Sequence, residues 1–233
     1  MNEEQVRYYE ELPKEYGFAS KCRMCIPFDL TGARVLDVDC RRGKGAVKIA
    51  EMVGPAGMAM GVDPSSAWID EAREYAAHAC GEGAKAAYGS LQFAVACAEN
   101  LAEAGIGDGS FDVVYVNSSL NLDMSPLAAI AEFARVLSPG GLLLFDGVVA
   151  EAPRDPKVVE AACKLGNSVQ AAFYRTNLEH ILEQAGFMQI SYLMEEPVPA
   201  DAAADDNVRA AVADSSENVA FTKTVVAALR AGA

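Results

Sequence analysis

Hydrophobic positions change their spacing twice between residues 33 and 63. A short apolar run over residues 35–38 predicts a buried strand. The helical spacing that starts at Ala46 predicts a helix, which a Gly-Pro pair at residues 54–55 ends. Apolar residues then alternate with others up to Asp63, which predicts a second strand. The pattern is that of a strand–helix–strand unit with parallel strands.

Two carboxylates mark the ends of these predicted strands. Asp37 comes near the carboxyl end of the first strand, and Asp63 closes the second. Open parallel sheets bind ligands at the carboxyl ends of their strands, so we expect both acids at one site. An acid in the position of Asp63 can accept two hydrogen bonds from a ribose diol. The unit therefore indicates a cofactor that contains a nucleoside.

The remaining chain continues this alternation and is interpreted as one domain over residues 1–233. Within it we expect a first helix and cap segment (1–30), a cofactor-binding core (31–150) and late helices and strands (151–233). Further helices are predicted over residues 3–16, 65–79, 125–137, 155–173 and 175–187. Further strands are predicted over residues 91–96, 113–116, 138–150, 188–196 and 219–229. Residues 196–218, rich in Ala, Asp and Pro, are expected to be irregular.

Charge and composition exclude some functions. The formal net charge of −14 and the isoelectric point near 4.5 argue against a nucleic-acid partner, which would need a basic face. No run approaches the ~18 apolar residues of a membrane span, and the first residues lack an apolar signal core. We expect a cytoplasmic protein that acts on a small molecule, has no membrane partner, and keeps its 6 cysteines reduced.

Several stretches resemble one family in both sequence and spacing. They are YGFASKCRMCIP, VLDVDCRRGKG, EMVGPAGMAMGVD, EAREYA, ENLAEAGIGDGSFDVVYVNSSLNL, RVLSPGGLLLFDGVVAE and ACKLGNSVQAAFYRTNLEHILEQAGF, together spanning residues 15–195. These stretches resemble the class I S-adenosylmethionine-dependent methyltransferases, and more closely the arsenite methyltransferases. The resemblance implies an α/β, Rossmann-like, seven-stranded mixed sheet with helices on both faces and an antiparallel last strand.

The resemblance also implies where S-adenosylmethionine binds. Asp37 and Gly43 would line its methionine half, Asp63 would hold the ribose hydroxyls, and Asn117 would face the transferable methyl group. The full set of implied cofactor contacts is Asp37, Asp39, Cys40, Gly43, Asp63, Pro64, Ala98, Glu99 and Asn117, with Ala98 and Glu99 beside the adenine. Tyr8, Tyr9, Tyr16 and Tyr174 are candidates to close this pocket, with ordinary packing as the alternative, whereas Trp68 is expected to be ordinary core.

The turn after the first strand departs from the family pattern D-x-G-x-G-x-G. Asp39 and Arg41 replace two glycines, which the family uses because backbone there approaches the ligand and adopts positive φ. Asp39 has two interpretations: it pairs with Arg41 or Arg42, or it places its charge near the sulfonium. Alternatively, these side chains fill the pocket, or an anionic ligand binds Arg41, Arg42 and Lys44 at the helix amino end.

A second departure concerns the acceptor. The family binds trivalent arsenic between thiolates, and soft thiolates suit soft centres. The corresponding candidates here are Cys22, Cys25 and Cys163, with Ser118 in the position of a family thiol and Asn121 as a further candidate contact or a turn former. The alternative is that the three cysteines are ordinary reduced residues.

The sequence thus predicts methyl transfer from S-adenosylmethionine to a small soft nucleophile, possibly thiolate-bound trivalent arsenic. Asn117 and Cys163 are the candidate catalytic residues, and no metal site is predicted. The alternative is a non-catalytic binding or partner protein with an altered or lost cofactor site. The sequence does not specify an oligomeric state.

Overall fold

The computed structural model of the chain describes residues 1–13, 24–81, 88–212 and 218–232. Its strands are β1 (Arg34–Val38), β2 (Met58–Asp63), β3 (Ser90–Val95), β4 (Phe111–Asn117), β5 (Leu137–Ala150), β6 (Phe187–Pro197) and β7 (Phe221–Arg230). They form one sheet in the order β3-β2-β1-β4-β5-β7-β6. Strands β1 to β5 are parallel, and β7 is antiparallel to both β5 and β6. The predicted seven-stranded mixed sheet with an antiparallel last strand is confirmed.

One helix precedes β1 and the others lie between strands. They are α1 (Glu3–Glu11), α2 (Lys44–Val53), α3 (Ser66–Ala79), α4 (Pro126–Val136), α5 (Pro156–Lys164), α6 (Arg175–Gln184), α7 (Ala200–Ala203) and α8 (Asp206–Ala211). No helix in the described ranges is long and apolar enough to cross a bilayer.

The sheet is buried on both faces, which explains why β1 reads as a continuous apolar run. Leu36 and Val38 belong to the larger hydrophobic cluster, which also holds residues of α4 and α6. Val35 points to the other face and packs in a cluster with Ile49 and Val53 of α2. Alternate residues of one short strand therefore anchor helices on opposite faces.

The strand register brings the functional part of the chain together. Val38, near the end of β1, is level with Val62 on β2 and with Val116 on β4. The turns that follow these three parallel strands consequently meet at one edge of the sheet. The candidate site lies at this edge, as Asp37 and Asp63 indicated.

Two predicted elements differ from the structure. The helix predicted over residues 155–173 stops at Lys164, because Gly166 adopts φ +66° and the Asn167 side chain accepts hydrogen bonds from the amides of Val169 and Gln170. This local capping turns the chain before a longer helix can form.

The segment predicted to be irregular contains the short helices α7 and α8. Asp205 caps α8 by accepting from the amides of Asn207 and Val208, and Val208 is buried against Leu122 and Val158. At the other end of the chain, α1 ends at Glu11, and the last residues of the predicted first helix lie outside the described ranges.

Candidate functional site

The turn after β1 holds two non-glycine residues in the left-handed region. Asp39 has φ +53° and Arg41 has φ +48°, which L side chains adopt at an energetic cost. Backbone hydrogen bonds fix the turn: Cys40 donates to Val62 O over 2.9 Å, and Gly43 donates to Cys40 O over 2.9 Å. The family's glycine conformation is thus retained here with larger side chains.

Two glycines beside this turn are required by close packing. A Cβ on Gly43, at φ +72°, would lie 2.7 Å from the Cβ of Ala72, so this glycine lets α2 and α3 approach each other. A Cβ on Gly45 would lie 2.8 Å from Asp37 Oδ2, so the first turn of α2 closes over that carboxyl group. Close packing therefore requires glycine at position 43. The contact between Gly43 and the cofactor remains a prediction.

Asp63 connects the end of β2 to the turn after β1. Its side chain is almost fully buried, and its Oδ2 accepts from Arg41 N over 2.9 Å while its Oδ1 accepts from Ser65 N over 2.8 Å. Ser65 in turn caps α3 by accepting from Trp68 N over 3.3 Å. Each carboxylate oxygen keeps acceptor capacity for a further donor, as a ribose hydroxyl would require.

The loop after β4 is rigidly held. Ser118 is buried at φ +61°, and its amide donates to Asp146 O over 2.7 Å. The Asn121 amide group donates to Val148 O and to Ser168 O, each over 3.1 Å. Asn121 therefore joins three segments of the chain. This structural role differs from the substrate contact and the turn former that the sequence analysis proposed.

Helix α1 covers the site. The Tyr8 hydroxyl donates to Leu122 O over 2.8 Å, and the Tyr9 hydroxyl donates to Glu99 Oε1 over 2.7 Å. The same Glu99 oxygen accepts from Ser125 N over 3.0 Å. Glu99 thus ties α1 to the loop before α4.

The arginines of the turn both contact α3. Arg42 pairs with Glu71 over 2.7 Å, and the Arg41 guanidinium lies 4.8 Å from the ring centre of Trp68. Trp68 also lines the cavity described next, so the expectation that it is ordinary core is wrong. The neighbouring sequence does not distinguish a partly buried aromatic residue at the start of a helix from an aromatic residue of the hydrophobic core.

A small cavity of about 30 Å³ lies between these elements. It is lined by Tyr9, Leu12, Asp39, Arg41, Asp63, Pro64, Trp68, Asn117, Ser119, Leu122 and Asp123. A larger cavity of about 490 Å³ adjoins it, shares Tyr9, Leu12, Asp63, Pro64 and Trp68, and extends over the start of α3. Asp39, Asp63, Pro64 and Asn117, predicted from separate parts of the sequence, therefore meet at one cavity.

Buried carboxyl groups dominate the electrostatics of the site. Burial, followed by the charges of neighbouring acids, raises the pKa of Asp37 to about 8 and that of Asp39 to about 7. Burial raises the pKa of Asp63 to about 6 although the Ser65 and Arg41 amides oppose the rise. The pKa of Asp123 is raised as well, by burial and then by the charges of Asp39 and Glu99.

Several of these oxygens have no hydrogen-bond partner within the described part of the chain. They are Asp37 Oδ2, Asp39 Oδ2, Glu99 Oε2 and Asp123 Oδ2. A buried unsatisfied acceptor costs free energy, so a site that collects four of them is suited to a ligand that carries donors or positive charge. Sequence reasoning missed Asp123, because nothing in its own stretch distinguishes it from an ordinary turn residue.

Other predicted residues lie in the core or apart from this cavity. Ala98 is fully buried in the larger hydrophobic cluster. Cys40 is buried, and desolvation raises the pKa of its thiol.

The candidate arsenic ligands do not come together among the described residues. The Cys163 thiol lies 3.5 Å from Asn121 O, in the cluster around Leu122. The Cys25 sulfur lies 2.9 Å from Met194 Sδ, against the other face of the sheet. Cys22 lies outside the described ranges, and within them no three His, Cys, Asp or Glu side chains are grouped as metal ligands would be.

Comparisons with known proteins agree with this geometry. A family model described as a methyltransferase domain matches residues 29–186. The chain is 28% identical over 177 residues to an arsenite methyltransferase of Aquipseudomonas alcaligenes, covering 76% of this chain and 50% of that protein. It is 31% identical over 169 residues to the arsenite methyltransferase of Mus musculus, covering 71% of this chain and 44% of that protein. The chain thus spans about half the length of the curated relatives it matches.

A solved structure matches nearly the whole chain. It is that of an arsenic(III) S-adenosylmethionine methyltransferase from Chlamydomonas reinhardtii, with a TM-score of 0.75 and 26% identity over 97% of this chain and 73% of that chain. Together the matches support S-adenosylmethionine as the cofactor. The chain therefore belongs to the methyltransferase domain family, with the fold of the class I S-adenosylmethionine-dependent enzymes and a resemblance to the arsenite methyltransferases.

Proposed function

We propose that this chain transfers a methyl group from S-adenosylmethionine to a small soft nucleophile at the edge formed by the carboxyl ends of β1, β2 and β4. The observation that carries the proposal is the convergence of Asp39, Asp63, Asn117 and Asp123 on one cavity. When bound, the cofactor supplies a methyl group made electrophilic by its sulfonium. The chain's own contribution is to orient the acceptor and to exclude water, which is where much of the rate of such a transfer arises.

The donor chemistry of the site suits this cofactor. S-adenosylmethionine carries a sulfonium, an ammonium and a ribose diol, which are cations and donors, and the site offers buried acceptors without partners. We assign Asp63 to the ribose hydroxyls and Asp37 with Gly43 to the methionine half. Asn117 is assigned to the face of the methyl group, and Ala98 with Glu99 to the adenine side.

The enclosed volume sets a condition on binding. A cavity of about 30 Å³ holds about one water molecule, whereas ligand pockets commonly measure ~300–1,000 Å³. The adjoining cavity of about 490 Å³ is of the required size and shares Asp63 and Pro64 with the small one. Binding therefore requires α1 and the Arg41 side chain to shift so that the two cavities join.

For the acceptor, trivalent arsenic is the proposal that the relatives support. Cys163 is the thiol that the described residues bring nearest to the loop after β4, through its contact with Asn121 O. Burial raises the pKa of the Cys163 thiol, so arsenic would have to displace its proton on binding. Cys25, Ser118 and Asn121 remain predicted substrate contacts, as does Cys22.

One observation favours a second candidate function. Asp39 and Arg41 stand where the family has glycines, and both side chains line the small cavity. A chain in which these side chains permanently fill the cofactor volume would act as a non-catalytic binding or partner protein.

Calorimetric titration with S-adenosylhomocysteine separates the two candidates. We expect binding in the micromolar range, because opening the site reduces the affinity that the contacts alone would give. Absence of heat at millimolar ligand would overturn methyl transfer and leave the binding protein. For the acceptor, Cys163→Ser should weaken arsenite binding, whereas Cys80→Ser, which alters a thiol at the end of α3, should leave it unchanged. Equal arsenite binding by both variants and the parent would remove Cys163 from the proposal.

A further inference from the structure

We propose that Asp39 and Asp123 form a carboxyl pair that selects a positively charged group at the centre of the site. The inference deepens the proposed function and rests on it: the pair would favour the sulfonium-bearing donor over the neutral thioether product. Asp39 would thus be a specificity-determining residue that this chain has gained where the family uses glycine.

The position of the pair follows from the cavity and from the covalent structure of the cofactor. Asp39 and Asp123 both line the small cavity, together with Asp63 and Asn117. We have assigned Asp63 to the ribose and Asn117 to the methyl group. The sulfonium sulfur is bonded to both of those groups, so it is the part of the cofactor that would lie between the two residues.

The polar groups of the fold beside the pair are the two carboxyl groups themselves and the Ser119 hydroxyl next to Asp39, and among the described residues they leave one oxygen of each acid unsatisfied. Asp123 is 4% exposed, and neither Asp123 Oδ2 nor Asp39 Oδ2 has a hydrogen-bond partner in the part of the chain that the structure describes. Burying a carboxylate without donors is costly, and a protein without use for such a pair would gain stability from replacing it. The unsatisfied oxygens therefore point to a ligand.

The surrounding charges are mainly negative. The acids that face the pair are Asp37 and Asp63 from the strand ends and Glu99 from the loop after β3. Tyr9 of α1 adds a hydroxyl, and Cys163 of α5 adds a thiol beside Asp123. Arg41 is the cation that lines the same cavity, and its guanidinium lies over Trp68. Acids thus outnumber the cation at this site.

This arrangement determines how many protons Asp39 and Asp123 hold together. Two adjacent buried carboxyl groups cannot both ionise readily, so the pair holds a proton at neutral pH. The raised pKa of Asp39, about 7, and the raised pKa of Asp123 agree with this. A cation bound at the pair favours the doubly ionised form and releases the proton to solvent, whereas a neutral thioether leaves the proton in place.

The test is calorimetric titration of the full chain with three ligands at neutral pH. S-adenosylmethionine carries the sulfonium, sinefungin carries an amine at the equivalent position, and S-adenosylhomocysteine is neutral there. We expect both cationic ligands to bind about tenfold or more tightly than S-adenosylhomocysteine, because one unit charge lies beside the pair. Repeating the titrations in buffers of different ionisation enthalpy should show more proton release for the two cationic ligands than for S-adenosylhomocysteine, because the amino-acid ammonium beside Asp37 is common to all three.

Variants then assign the effect to the pair. Asp39→Asn and Asp123→Asn should each reduce the preference to about threefold or less and abolish the extra proton release seen with the cationic ligands. Asp70→Asn, which alters an exposed acid paired with Arg73 on α3, should retain both. Circular dichroism verifies that each variant is folded, and if an Asn variant does not fold, the preference and proton release of the parent chain decide the question.

The outcomes separate this inference from the proposed function. Equal affinity of the parent chain for the three ligands, or equal proton release with all three, overturns the carboxyl pair and leaves methyl transfer intact. Failure of all three ligands to bind at millimolar concentration overturns the proposed function, and the inference with it.

Discussion

Acidic residues occupy two contrasting environments in this protein. Several acids away from the site are paired with arginine: Arg135 bonds Glu132 over 2.6 Å and Asp108 over 2.8 Å, and Arg34 bonds Asp112 over 2.8 Å. These arginine hydrogen bonds lower the pKa of Glu132 and that of Asp112. Their charged forms are stabilised by the fold itself.

At the carboxyl ends of β1 and β2 the situation is reversed. The pKa values of Asp37, Asp39 and Asp63 are raised to about 8, 7 and 6, with burial as the first cause in each case. The fold does not stabilise the charged forms of these acids. Titratable groups whose ionisation is opposed by their surroundings tend to mark functional sites. A raised pKa is not sufficient, because burial also raises the pKa of Asp146 to about 6 although Asp146 lines neither cavity. Asp39 and Asp63 combine a raised pKa with a place in the cavity wall, which is what we expect of acids that bind a ligand.

The largest expected effect of this contrast is on stability as a function of pH. A carboxyl group whose folded pKa lies above its unfolded pKa keeps its proton longer in the folded state. Stability contributed by Asp37, Asp39 and Asp63 is therefore present below about pH 4 and is lost as pH rises through about 6 to 8. We expect the free energy of unfolding, measured with urea, to fall between about pH 5 and about pH 8.

Two variants test the source of this slope. Asp39→Asn should flatten it, because the amide does not titrate. Asp112→Asn should leave it unchanged, because the lowered pKa of Asp112 gives a contribution that is lost only as pH falls. A free energy of unfolding that rises toward pH 8 in the parent chain would show that the buried acids are not protonated in the folded state.

The next effect concerns affinity. Asp63→Ala removes both acceptors assigned to the ribose diol and also releases the amides of Arg41 and Ser65 that shape the turn. We expect affinity for S-adenosylhomocysteine to fall about a hundredfold. Calorimetry measures this affinity, and the control is Asp112→Ala, which alters an acid paired with Arg34. Unchanged affinity in Asp63→Ala would show that the diol contact has been assigned to the wrong residue.

How far the sequence predicted this site depends on the distance over which its parts interact. Asp37 and Asp63 were predictable because a strand–helix–strand pattern and its ends can be recognised within 31 residues of chain, from Ala33 to Asp63. The order of the later strands and the antiparallel β7 came from resemblance, since periodicity alone does not give strand order.

The missed features arise from contacts between distant segments. The Tyr9 hydroxyl meets Glu99 across 90 positions of sequence, and Asp123 reaches the cavity through the loop after β4. No local pattern encodes such contacts. The overlong prediction for α5 has a different origin, because the helical spacing continues past Gly166 although the backbone turns there.

The smallest expected effect concerns Glu132, one of the acids paired with arginine. It tests whether such an acid contributes to stability and not to ligand binding. Glu132 Oε2 accepts from the amides of Leu101 and Ala102 over 2.8 and 3.2 Å, and its carboxylate also pairs with Arg135. Glu132→Gln should lower the free energy of unfolding by about 1 kcal/mol, because charge-assisted hydrogen bonds in a partly buried position become neutral ones. Glu51→Gln, which alters the exposed partner of Lys48, should change it by less than about 0.5 kcal/mol.

Affinity provides the decisive readout for this variant. An acid that only holds the structure should leave the binding of S-adenosylhomocysteine unchanged when it is neutralised, since Glu132 lines neither cavity. If Glu132→Gln instead weakened binding as strongly as Asp63→Ala does, lowered and raised pKa values would no longer separate structural acids from ligand-binding acids in this fold. Position at the carboxyl ends of the strands would not separate them either, because Glu132 lies on α4, and binding would then depend on how the whole fold supports the site.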